Sequence, residues 1–427
     1  MYTLSFTLKQ HTPIIHFQHD QDGATLRASE VKPKLDRFII EKLGMENIDK
    51  AWYNNPKKAS LDYQLKISPV LSESYPIEEG RTNSFEPFFG NIGTEYLKNI
   101  KGIVITENEI GCVIIGKHNE INKFILENEI LQEFFALNNF GTRQTKGFGS
   151  FSLIKINNSV SNFPAYLFNY SFDIIIQRNL RDDSVTLYKD LFKKINLFYK
   201  TLRSGINESR TPVYGVTPKL YFKSLLYEYV TTVLNEQWDK KTIKSHFLQI
   251  EQAEQCYTFK DKIVCAARRQ NLNLDYKNFR DLLGLSSLEK WGDSFTLTKS
   301  HIEQTATGSW ALVDKNAPHL ITRFKSPLFF KIVRETNCFK VFLNFQLNTV
   351  TQLNYTNSFF QIANRVEKEF TLPFYQNFDY NSFLNWVIKN IDSNKRFVVT
   401  SDRPRDDFNE IMDSINRIYS QLKKQVQ

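Results

Sequence analysis

The chain has 427 residues, enough for two or three domains with substantial hydrophobic cores. Lysine and arginine number 55 against 46 aspartate and glutamate, and the formal charge of +9 favours a polyanionic partner. The wide spacing of Cys112, Cys256, Cys265 and Cys338 argues against a zinc knuckle, and no apolar run is long enough for a membrane span, so we expect a cytoplasmic protein without metal or cofactor.

A strand is predicted at the amino terminus, because apolar and polar residues alternate from Tyr2 to Leu8. It is expected to end near His11, where the chain turns. His16 and His19 follow, but no matching cysteine or carboxylate ligand set lies nearby. We therefore interpret the three histidines as strand-end and loop residues rather than as metal ligands.

A basic helix is predicted after this turn. Ser29 is the expected N-cap, Pro33 falls in the expected first turn, and Gly44 can end the helix. Four cations crowd its start, namely Arg27, Lys32, Lys34 and Arg37. Because a helix N-terminus is already electropositive, this cluster indicates either an anion site or a solvated charged turn.

The next region predicts the rest of a first domain, residues 1–160. Residues 45–100 are interrupted by proline, glycine and charge, which indicates a long insertion with a strand near Leu61 to Val70. Strands are predicted at 103–106 and 112–115, and the helical spacing of apolar residues between Ile121 and Phe135 predicts a helix. The order strand, helix, strands, helix, strand is typical of a ferredoxin-like domain.

The main candidate site is the segment that follows this helix, residues 141–150, which reads Gly-Thr-Arg-Gln-Thr-Lys-Gly-Phe-Gly-Ser. Its glycines permit a close approach of the backbone to a partner, and Arg143 and Lys146 add two cations, so the loop suits a phosphate backbone. The main-chain N–H groups of Gly141, Gly147 and Gly149 are expected to meet phosphates. A strand follows the loop, whereas nucleotide-hydrolysing loops precede a helix, so nucleotide hydrolysis is not favoured.

The second half, residues 161–427, is predicted to form a second domain with a helical insertion. Its predicted elements are a strand at 172–176, a helix at 188–203, a second basic helix start at Lys219 to Val230, a helical region at 236–280 that includes Cys265, a strand at 341–347 and carboxy-terminal helices at 379–391 and 406–424. Asp379 and Asp406 are candidate caps of the last two helices.

The basic helix and the later Gly-x-Arg-x-x-x-Gly-Phe-Gly-Ser loop together resemble the RAMP superfamily of CRISPR-associated proteins. Two further segments, which begin at Arg280 and Ile321, are similar to segments of the first-numbered RAMP subunit of the type III-B (Cmr) effector. The resemblance implies an α+β fold with two tandem ferredoxin-like (RRM-like) RAMP domains, insertions and C-terminal helices.

The resemblance also implies a non-catalytic subunit that contacts guide CRISPR RNA near its 3′ end and target RNA in antiviral defence. Its expected partners are these RNAs and other RAMP subunits of a multisubunit effector, without a membrane. The expected RNA-binding residues are Arg27, Lys32, Lys34, Arg37, Gly141, Arg143, Lys146, Gly147, Gly149, Arg203, Lys219, Lys223, Arg323 and Lys325.

Two alternatives stay open at this point. One is a RAMP endoribonuclease that processes CRISPR repeat RNA, for which the three histidines with Arg27 are the candidate catalytic groups. The resemblance also implies that a loop acid such as Asp20 or Asp22 can support target cleavage, as in other RAMP subunits. Two acids in a turn are more often turn formers, so we favour no catalysis. The other alternative is an assembly protein whose basic surface is incidental.

Overall fold

The fold is taken from a computed structural model, which describes residues 1–15, 26–55, 57, 59–75, 103–177, 184–209, 219–238, 256–259, 262–265, 277–284, 288–291, 295–304, 310–312, 326–346, 356–363, 368–399 and 406–426. The chain forms two compact units. The first consists of Met1–Asn196 with Phe329–Asn344, and the second of Leu197–Leu328 with Phe345–Gln427. The first unit therefore includes a segment from late in the sequence, and the domain boundary predicted at residue 160 stays a prediction.

The elements fall in the following chain order. Up to residue 203 they are β1 (Tyr2–Gln10), β2 (Ile14–Ile15), α1 (Ala28–Leu43), β3 (Tyr53–Asn55), β4 (Ser60–Leu61), β5 (Tyr63–Ile67), β6 (Glu73–Tyr75), β7 (Ile103–Ile105), β8 (Ile110–Gly116), α2 (Asn119–Glu127), α3 (Ile130–Leu137), β9 (Phe151–Ile156), β10 (Ser159–Val160), β11 (Tyr170–Ile175) and α4 (Ser184–Arg203). The later elements are β12 (Ile206–Ser209), β13 (Lys219–Phe222), α5 (Leu225–Thr232), β14 (Cys256–Phe259), β15 (Lys262–Cys265), β16 (Leu288–Trp291), β17 (Phe295–Gln304), β18 (Trp310–Leu312), β19 (Leu328–Arg334), β20 (Cys338–Phe345), β21 (Thr356–Ala363), β22 (Lys368–Pro373), α6 (Tyr380–Asn390), α7 (Ser393–Arg396), β23 (Phe397–Val399) and α8 (Asp406–Lys423).

The largest sheet of the first unit has the strand order β10-β9-β1-β8-β5, and each neighbouring pair is antiparallel. The chain passes through α1 between β1 and β5, and through α2 and α3 between β8 and β9. The predicted order of strands and helices is thus confirmed, except that the helix predicted between Ile121 and Phe135 is divided into α2 and α3 and that the strand predicted at 103–106 is β7 of a separate small sheet, β2-β7-β6. The insertion predicted at 45–100 supplies an edge strand, β5, to this sheet.

The core of this unit lies between the sheet and its helices. Alternate residues of β1, namely Leu4, Phe6 and Leu8, are buried as the sequence pattern predicts. The buried stripe of α1 and the phenylalanines of α3 join them in one cluster, as do Phe140 and Phe151, which begin and end the glycine loop region. Phe134 and Phe135 lie edge to face with ring centroids 5.1 Å apart. The loop is therefore tied to the core at both of its ends.

The start of α1 differs from the prediction. The helix begins at Ala28 with Arg27 at the N-cap, and no side chain caps it, so Ser29 lies inside the first turn. Pro33 is the sixth helical residue rather than a residue of the first turn. The helix ends at Gly44, as predicted. Gly44 has φ of +83°, and its N–H donates a hydrogen bond to the Ile40 carbonyl.

A second, three-stranded sheet of the first unit has the order β11-β20-β19 and is antiparallel where its pairing is described. The strands predicted at 172–176 and 341–347 pair with each other here, with Phe172 opposite Val341. Phe329 and Phe342 of this sheet pack with Ala136 at the end of α3 and with Phe168. The late segment is therefore part of the hydrophobic core of the first unit.

The second unit contains a three-stranded sheet of order β12-β13-β23 and a larger sheet around β17 and β21. The basic helix start predicted at Lys219 is wrong, because residues 219–222 alternate exposed and buried side chains and form β13. The helix begins later, at Leu225, after the Ser224 cap. Cys265 lies on β15 rather than on a helical turn.

Both carboxy-terminal helices are confirmed. Phe383, Leu384, Val387 and Ile388 form the buried face of α6. Phe383 also packs edge to face on Tyr229 of α5, with ring centroids 5.3 Å apart. No helix in the described residues is long and apolar enough to cross a membrane.

Asp379 provides a direct test of how α6 begins. Its Oδ1 accepts hydrogen bonds from the N–H groups of Asn381 and Ser382, each at 3.0 Å, and the Ser382 hydroxyl donates to Oδ2 at 2.6 Å. The Ser382 hydrogen bonds hold the pKa of Asp379 below its ordinary value. We expect Asp379→Ala to lower the free energy of unfolding by about 1 kcal/mol, measured by urea titration at neutral pH. Asp379→Asn keeps a side-chain acceptor and should lose less free energy of unfolding. Equal losses in the two variants would contradict the capping role of Asp379.

Candidate nucleic-acid interface

The glycine loop, residues 141–150, folds back on itself between α3 and β9. Asn139 and Ser150 form an isolated antiparallel β-bridge. Next to it, the Phe140 N–H donates a hydrogen bond to the Gly149 carbonyl at 2.9 Å. A single 3-10 turn, Gln144–Lys146, lies at the tip. The backbone path across the loop is thus closed by hydrogen bonds at its base.

The three glycine N–H groups that are predicted to meet phosphates all donate hydrogen bonds within the chain. Gly141 donates to Glu30 Oε1 at 2.7 Å, Gly147 to the Gln144 carbonyl at 3.2 Å, and Gly149 to the Pro13 carbonyl at 2.8 Å. These N–H groups are therefore not presented to a phosphate in this conformation. Their partners lie in α1, in the loop itself and beside β2.

The glycines are instead required by close packing of the chain against itself. Gly149 has φ of +63°, and a Cβ atom there would overlap the carbonyl group of Phe140. Gly141 has φ of +77°, and a Cβ atom would lie 2.7 Å from Ile14 Cγ1 and 2.8 Å from the Ile15 carbonyl oxygen. The sequence pattern that indicated a phosphate loop thus has a structural cause.

The cations of the loop lie at its tip. Arg143 is in the left-handed region with φ of +55°, and both it and Lys146 are half-buried. Lys34 of α1 is next to them, because its Nζ donates to Gln144 Oε1 at 3.1 Å and to the Asn139 carbonyl at 3.3 Å. The structure therefore joins three of the predicted RNA-binding cations, Lys34, Arg143 and Lys146, around one turn.

The other cations predicted in α1 are directed elsewhere. Lys32 Nζ donates to Asp36 Oδ2 at 2.7 Å and to the Leu61 carbonyl at 3.0 Å, so it is engaged with β4. Arg37 is exposed and donates from Nε to the Pro33 carbonyl at 3.1 Å. Arg27 is half-buried at the N-cap of α1.

A buried polar network supports the base of the loop. Thr12 Oγ1 donates to the Gly147 carbonyl at 2.6 Å and accepts from the Ser150 N–H at 2.9 Å. Gln10 donates from Nε2 to the Thr12 carbonyl at 3.0 Å, which holds the turn after β1. The Ser150 hydroxyl donates to the Ile332 carbonyl at 2.6 Å, so the network extends to β19.

His11 belongs to this network and is buried. Nδ1 accepts from the Arg334 N–H at 3.0 Å, which leaves Nε2–H to donate to Ser152 Oγ at 2.7 Å. Burial, with smaller contributions from Lys331, Lys9 and Arg334, lowers the pKa of His11 to about 3. A neutral imidazole with both nitrogens engaged is a structural group. His16, His19, Asp20 and Asp22 lie outside the described residues.

Lys331 is the residue that sequence reasoning missed. Its side chain is 0% exposed, and Nζ donates to the Asn138 carbonyl at 3.1 Å, to Asn139 Oδ1 at 3.2 Å and to the Phe151 carbonyl at 2.7 Å. Burial lowers the pKa of Lys331 well below its ordinary value. The available signal was a lysine inside the apolar run Leu-Phe-Phe-Lys-Ile, a pattern that indicates a buried, hydrogen-bonded amine.

The candidates in the second unit are of two kinds. Arg203 is engaged in the chain, because Nη2 donates to the Gly284 carbonyl at 2.6 Å and lies 3.9 Å from Asp281 Oδ1. Lys219 and Lys223 are exposed, on β13 and directly after it. Arg323 and Lys325 lie outside the described residues. Among the residues that the structure describes, no group of three or more His, Cys, Asp or Glu is placed to hold a metal ion.

Comparisons with known proteins cover most of the sequence. Residues 1–206 match the Cmr1 N-terminal domain, and residues 221–413 match the Cmr1 C-terminal domain. Among solved structures, the chain is similar to the crystal structure of Cmr1 from Pyrococcus furiosus in its apo form, with 13% sequence identity, a TM-score of 0.29, and coverage of 81% of this chain and 88% of that chain. No curated protein sequence matches the chain.

The packing around Gly149 predicts a local loss of stability on substitution. In Gly149→Ala the new methyl group would overlap the Phe140 carbonyl at a backbone conformation unfavourable to alanine, so we expect a cost of about 2 kcal/mol or more. Faster amide hydrogen exchange in α3 and β9 would report it. Gly111→Ala is the matched control, because its Cβ would meet Ser68 Oγ at an ordinary 3.5 Å. Equal amide exchange rates of α3 and β9 in the two variants would contradict the close contact between Gly149 and the Phe140 carbonyl.

The burial of neutral His11 predicts a pH-dependent stability. Its pKa is about 3 in the folded protein and 6.5 when unfolded, so the unfolded chain binds more protons between these values. The contribution of His11 to the free energy of unfolding is fully present above about pH 6.5. Below that pH it decreases by about 1.4 kcal/mol per pH unit. His11→Gln, which keeps a donor and an acceptor but does not titrate there, should lack this component in urea titrations between pH 7 and 4.5.

The control for this series is His118→Gln, which removes a half-buried histidine ahead of α2. This variant should lose the same free energy of unfolding between pH 7 and 4.5 as the wild type does. An identical acid profile for His11→Gln and the wild type would show that His11 is not held neutral by the fold.

Proposed function

The chain belongs to the Cmr1 family, the RAMP subunits of the type III-B Cmr effector complex, and on this premise we propose that it binds guide and target RNA without cleaving it. Family membership already implies a multisubunit CRISPR assembly with other Cmr subunits as partners. The proposal adds the RNA contacts, their location on the chain and the lack of catalysis by this subunit.

The observation that carries the proposal is the cation cluster at the tip of the glycine loop. Lys34, Arg143 and Lys146 lie around one short turn whose base is closed by hydrogen bonds and buried glycine contacts. Fixed cations neutralise phosphates at a low entropic cost, since the backbone that carries them is already ordered. The formal charge of +9 also favours binding of a polyanion such as RNA.

The fold proposal is two tandem ferredoxin-like RAMP domains, residues 1–160 and 161–427, with insertions and C-terminal helices. In its support, the four strands β1, β5, β8 and β9 have the spatial order β9-β1-β8-β5, and helices connect β1 to β5 and β8 to β9. This is the order of a split βαβ arrangement. The matches to separate amino-terminal and carboxy-terminal domains agree with a two-domain chain.

The proposal that the chain is not a nuclease rests on the chemistry of its described groups. A metal-independent ribonuclease needs a base that can accept the proton of a 2′-hydroxyl near neutral pH. His11, with a pKa of about 3 and both ring nitrogens engaged, does not meet that requirement. We further propose a place near the 3′ end of the guide and a cytoplasmic complex, on the family resemblance.

Removing the loop cations tests the RNA contact. Each phosphate contact that is lost lowers the slope of log affinity against log salt, so Arg143→Ala with Lys146→Ala should flatten the slope by about one to two for single-stranded RNA. Fluorescence anisotropy at several salt concentrations measures it. The matched control is Lys117→Ala with Lys123→Ala, which removes two exposed charges of the first unit and should leave more of the slope intact. An unchanged slope in the loop variant would remove the loop from the interface.

The same preparations separate the alternatives. Cleavage of repeat RNA by the purified chain, lost on His16→Ala or Asp20→Ala, would favour the endoribonuclease and contradict the proposal. Companion subunits that copurify in high salt without any RNA would favour an assembly protein whose basic surface is incidental.

A further inference from the structure

The three-stranded sheet β12-β13-β23 of the second unit has two different faces. On one face Ile206, Leu220 and Phe222 are fully buried, and Phe222 packs on Phe397 with ring centroids 4.9 Å apart. Residues of the other parity point away from this core. The sheet therefore has an outer face whose side chains are determined by the strand register.

The centre of this outer face is an exposed aromatic residue. Tyr221 of the middle strand is 45% exposed, and its register partners are Asn207 on β12 and Val398 on β23. Val398 is itself 52% exposed. Cβ atoms of directly opposed residues lie about 4.5 to 5.5 Å apart, so the three side chains form one row across the sheet. The row combines an amide, an aromatic ring and an aliphatic group.

Lysines flank the aromatic residue in sequence, and both are exposed. Lys219, the first residue of β13, lies two residues before Tyr221, about 7 Å along the strand. Lys223 lies two residues after Tyr221, directly beyond the end of β13. The Nζ of Lys223 lies 4.2 Å from the Tyr227 ring centroid, which keeps its stem close to the protein surface.

Within the described residues of the three strands and directly after β13, the charges of this face are lysines. The acidic residue of these strands, Glu208, has the parity of the buried face and accepts from Lys200 Nζ at 3.4 Å. The Glu228 carboxylate, which lowers the positive charge density near Lys223, is paired with Arg396. An exposed ring between two cations is the chemistry that binds single-stranded nucleic acid. The ring stacks on a base, and the cations neutralise the phosphates on either side.

We propose that this outer face is a base-stacking platform for a single-stranded RNA segment. A base stacks on Tyr221 beside Val398, Asn207 meets the edge of that base, and Lys219 and Lys223 bind the neighbouring phosphates. The inference rests on the proposed function in one respect, namely that the chain binds RNA. It adds a site distinct from the glycine loop, with stacking rather than charge alone as its source of affinity.

The sheet of the first unit makes the contrast clear. The described residues of β1 and β5 that point away from its helices are polar, such as Thr3, Ser5 and Gln64, and none is aromatic. That face therefore lacks a ring on which a base could stack. Of these two sheets, the one that contains Tyr221 has the chemistry for an unpaired base.

Substitution of Tyr221 tests the platform in the full chain. The probe is a fluorescein-labelled 12-nucleotide single-stranded RNA, with the matching duplex as a second probe. Tyr221→Ala should raise the Kd for the single strand by roughly 5- to 150-fold, whereas Tyr221→Phe, which keeps the ring, should stay close to the wild type. The salt slope should not change in Tyr221→Ala, because no cation is lost. The Kd for the duplex should not change either, because its bases are already stacked.

Lys219→Ala with Lys223→Ala should instead flatten the salt slope by about one to two. The matched control is Tyr166→Ala, which removes a 68% exposed tyrosine of the first unit and should leave both probes unaffected. Unchanged thermal unfolding of Tyr221→Ala, together with recovery by Tyr221→Phe, excludes a folding defect as the cause.

The experiments distinguish failure of the proposed RNA-binding function from failure of the platform proposal. If the wild-type chain binds no RNA, the proposed function fails and the platform fails with it. If the wild type binds and Arg143→Ala with Lys146→Ala flattens the slope, but Tyr221→Ala binds as the wild type does, only the platform is overturned. Unchanged RNA affinity with loss of a companion subunit from Tyr221→Ala would assign the face to a protein contact instead.

Discussion

The first unit depends on the three hydrogen bonds that the buried ammonium group of Lys331 donates. Two acceptors, the Asn138 carbonyl and Asn139 Oδ1, lie just before the glycine loop, and the third, the Phe151 carbonyl, lies just after it. Without this side chain, three buried oxygen atoms would lose their donor, and each unsatisfied buried group is costly. One residue of β19 therefore fixes both ends of the loop and joins a late strand to the first sheet.

This constraint bears on the RNA contact proposed for the loop. Its three glycine N–H groups are used inside the chain, so in this conformation they are not presented to an anion, and the proposed contact rests on the cations at the tip. In that proposed contact, the closed base leaves little backbone entropy to be lost.

Local patterns predicted much of the fold. Alternation identified β1, helices were predicted where α1, α4 and α6 lie, and both carboxy-terminal helices were predicted, as was the Asp379 cap. The errors arose where the decisive partner lies far away in sequence. The Gly141 and Gly149 N–H groups meet Glu30 and Pro13, more than a hundred residues earlier, and no loop motif reports such contacts.

Two further differences have equally physical causes. The helix predicted to start at Lys219 begins at Leu225 after the Ser224 cap, and residues 219–222 pair as β13 instead. The role of Lys331 follows from burial, which a single lysine in an apolar strand indicates only weakly. Periodicity therefore predicted elements well, whereas the candidate site depended on tertiary hydrogen bonds.

The inclusion of Phe329–Asn344 in the first unit bears on how the protein is made. The strand that pairs with this segment, β11, ends at Ile175, so the ribosome must add the whole intervening chain before the unit can close. At about 5 to 20 residues per second, that interval is on the order of ten to thirty seconds. During it Ala136 and Phe168 of the nascent chain lack the apolar partners that Phe329 and Phe342 later provide, and transiently exposed apolar surface of this kind favours aggregation.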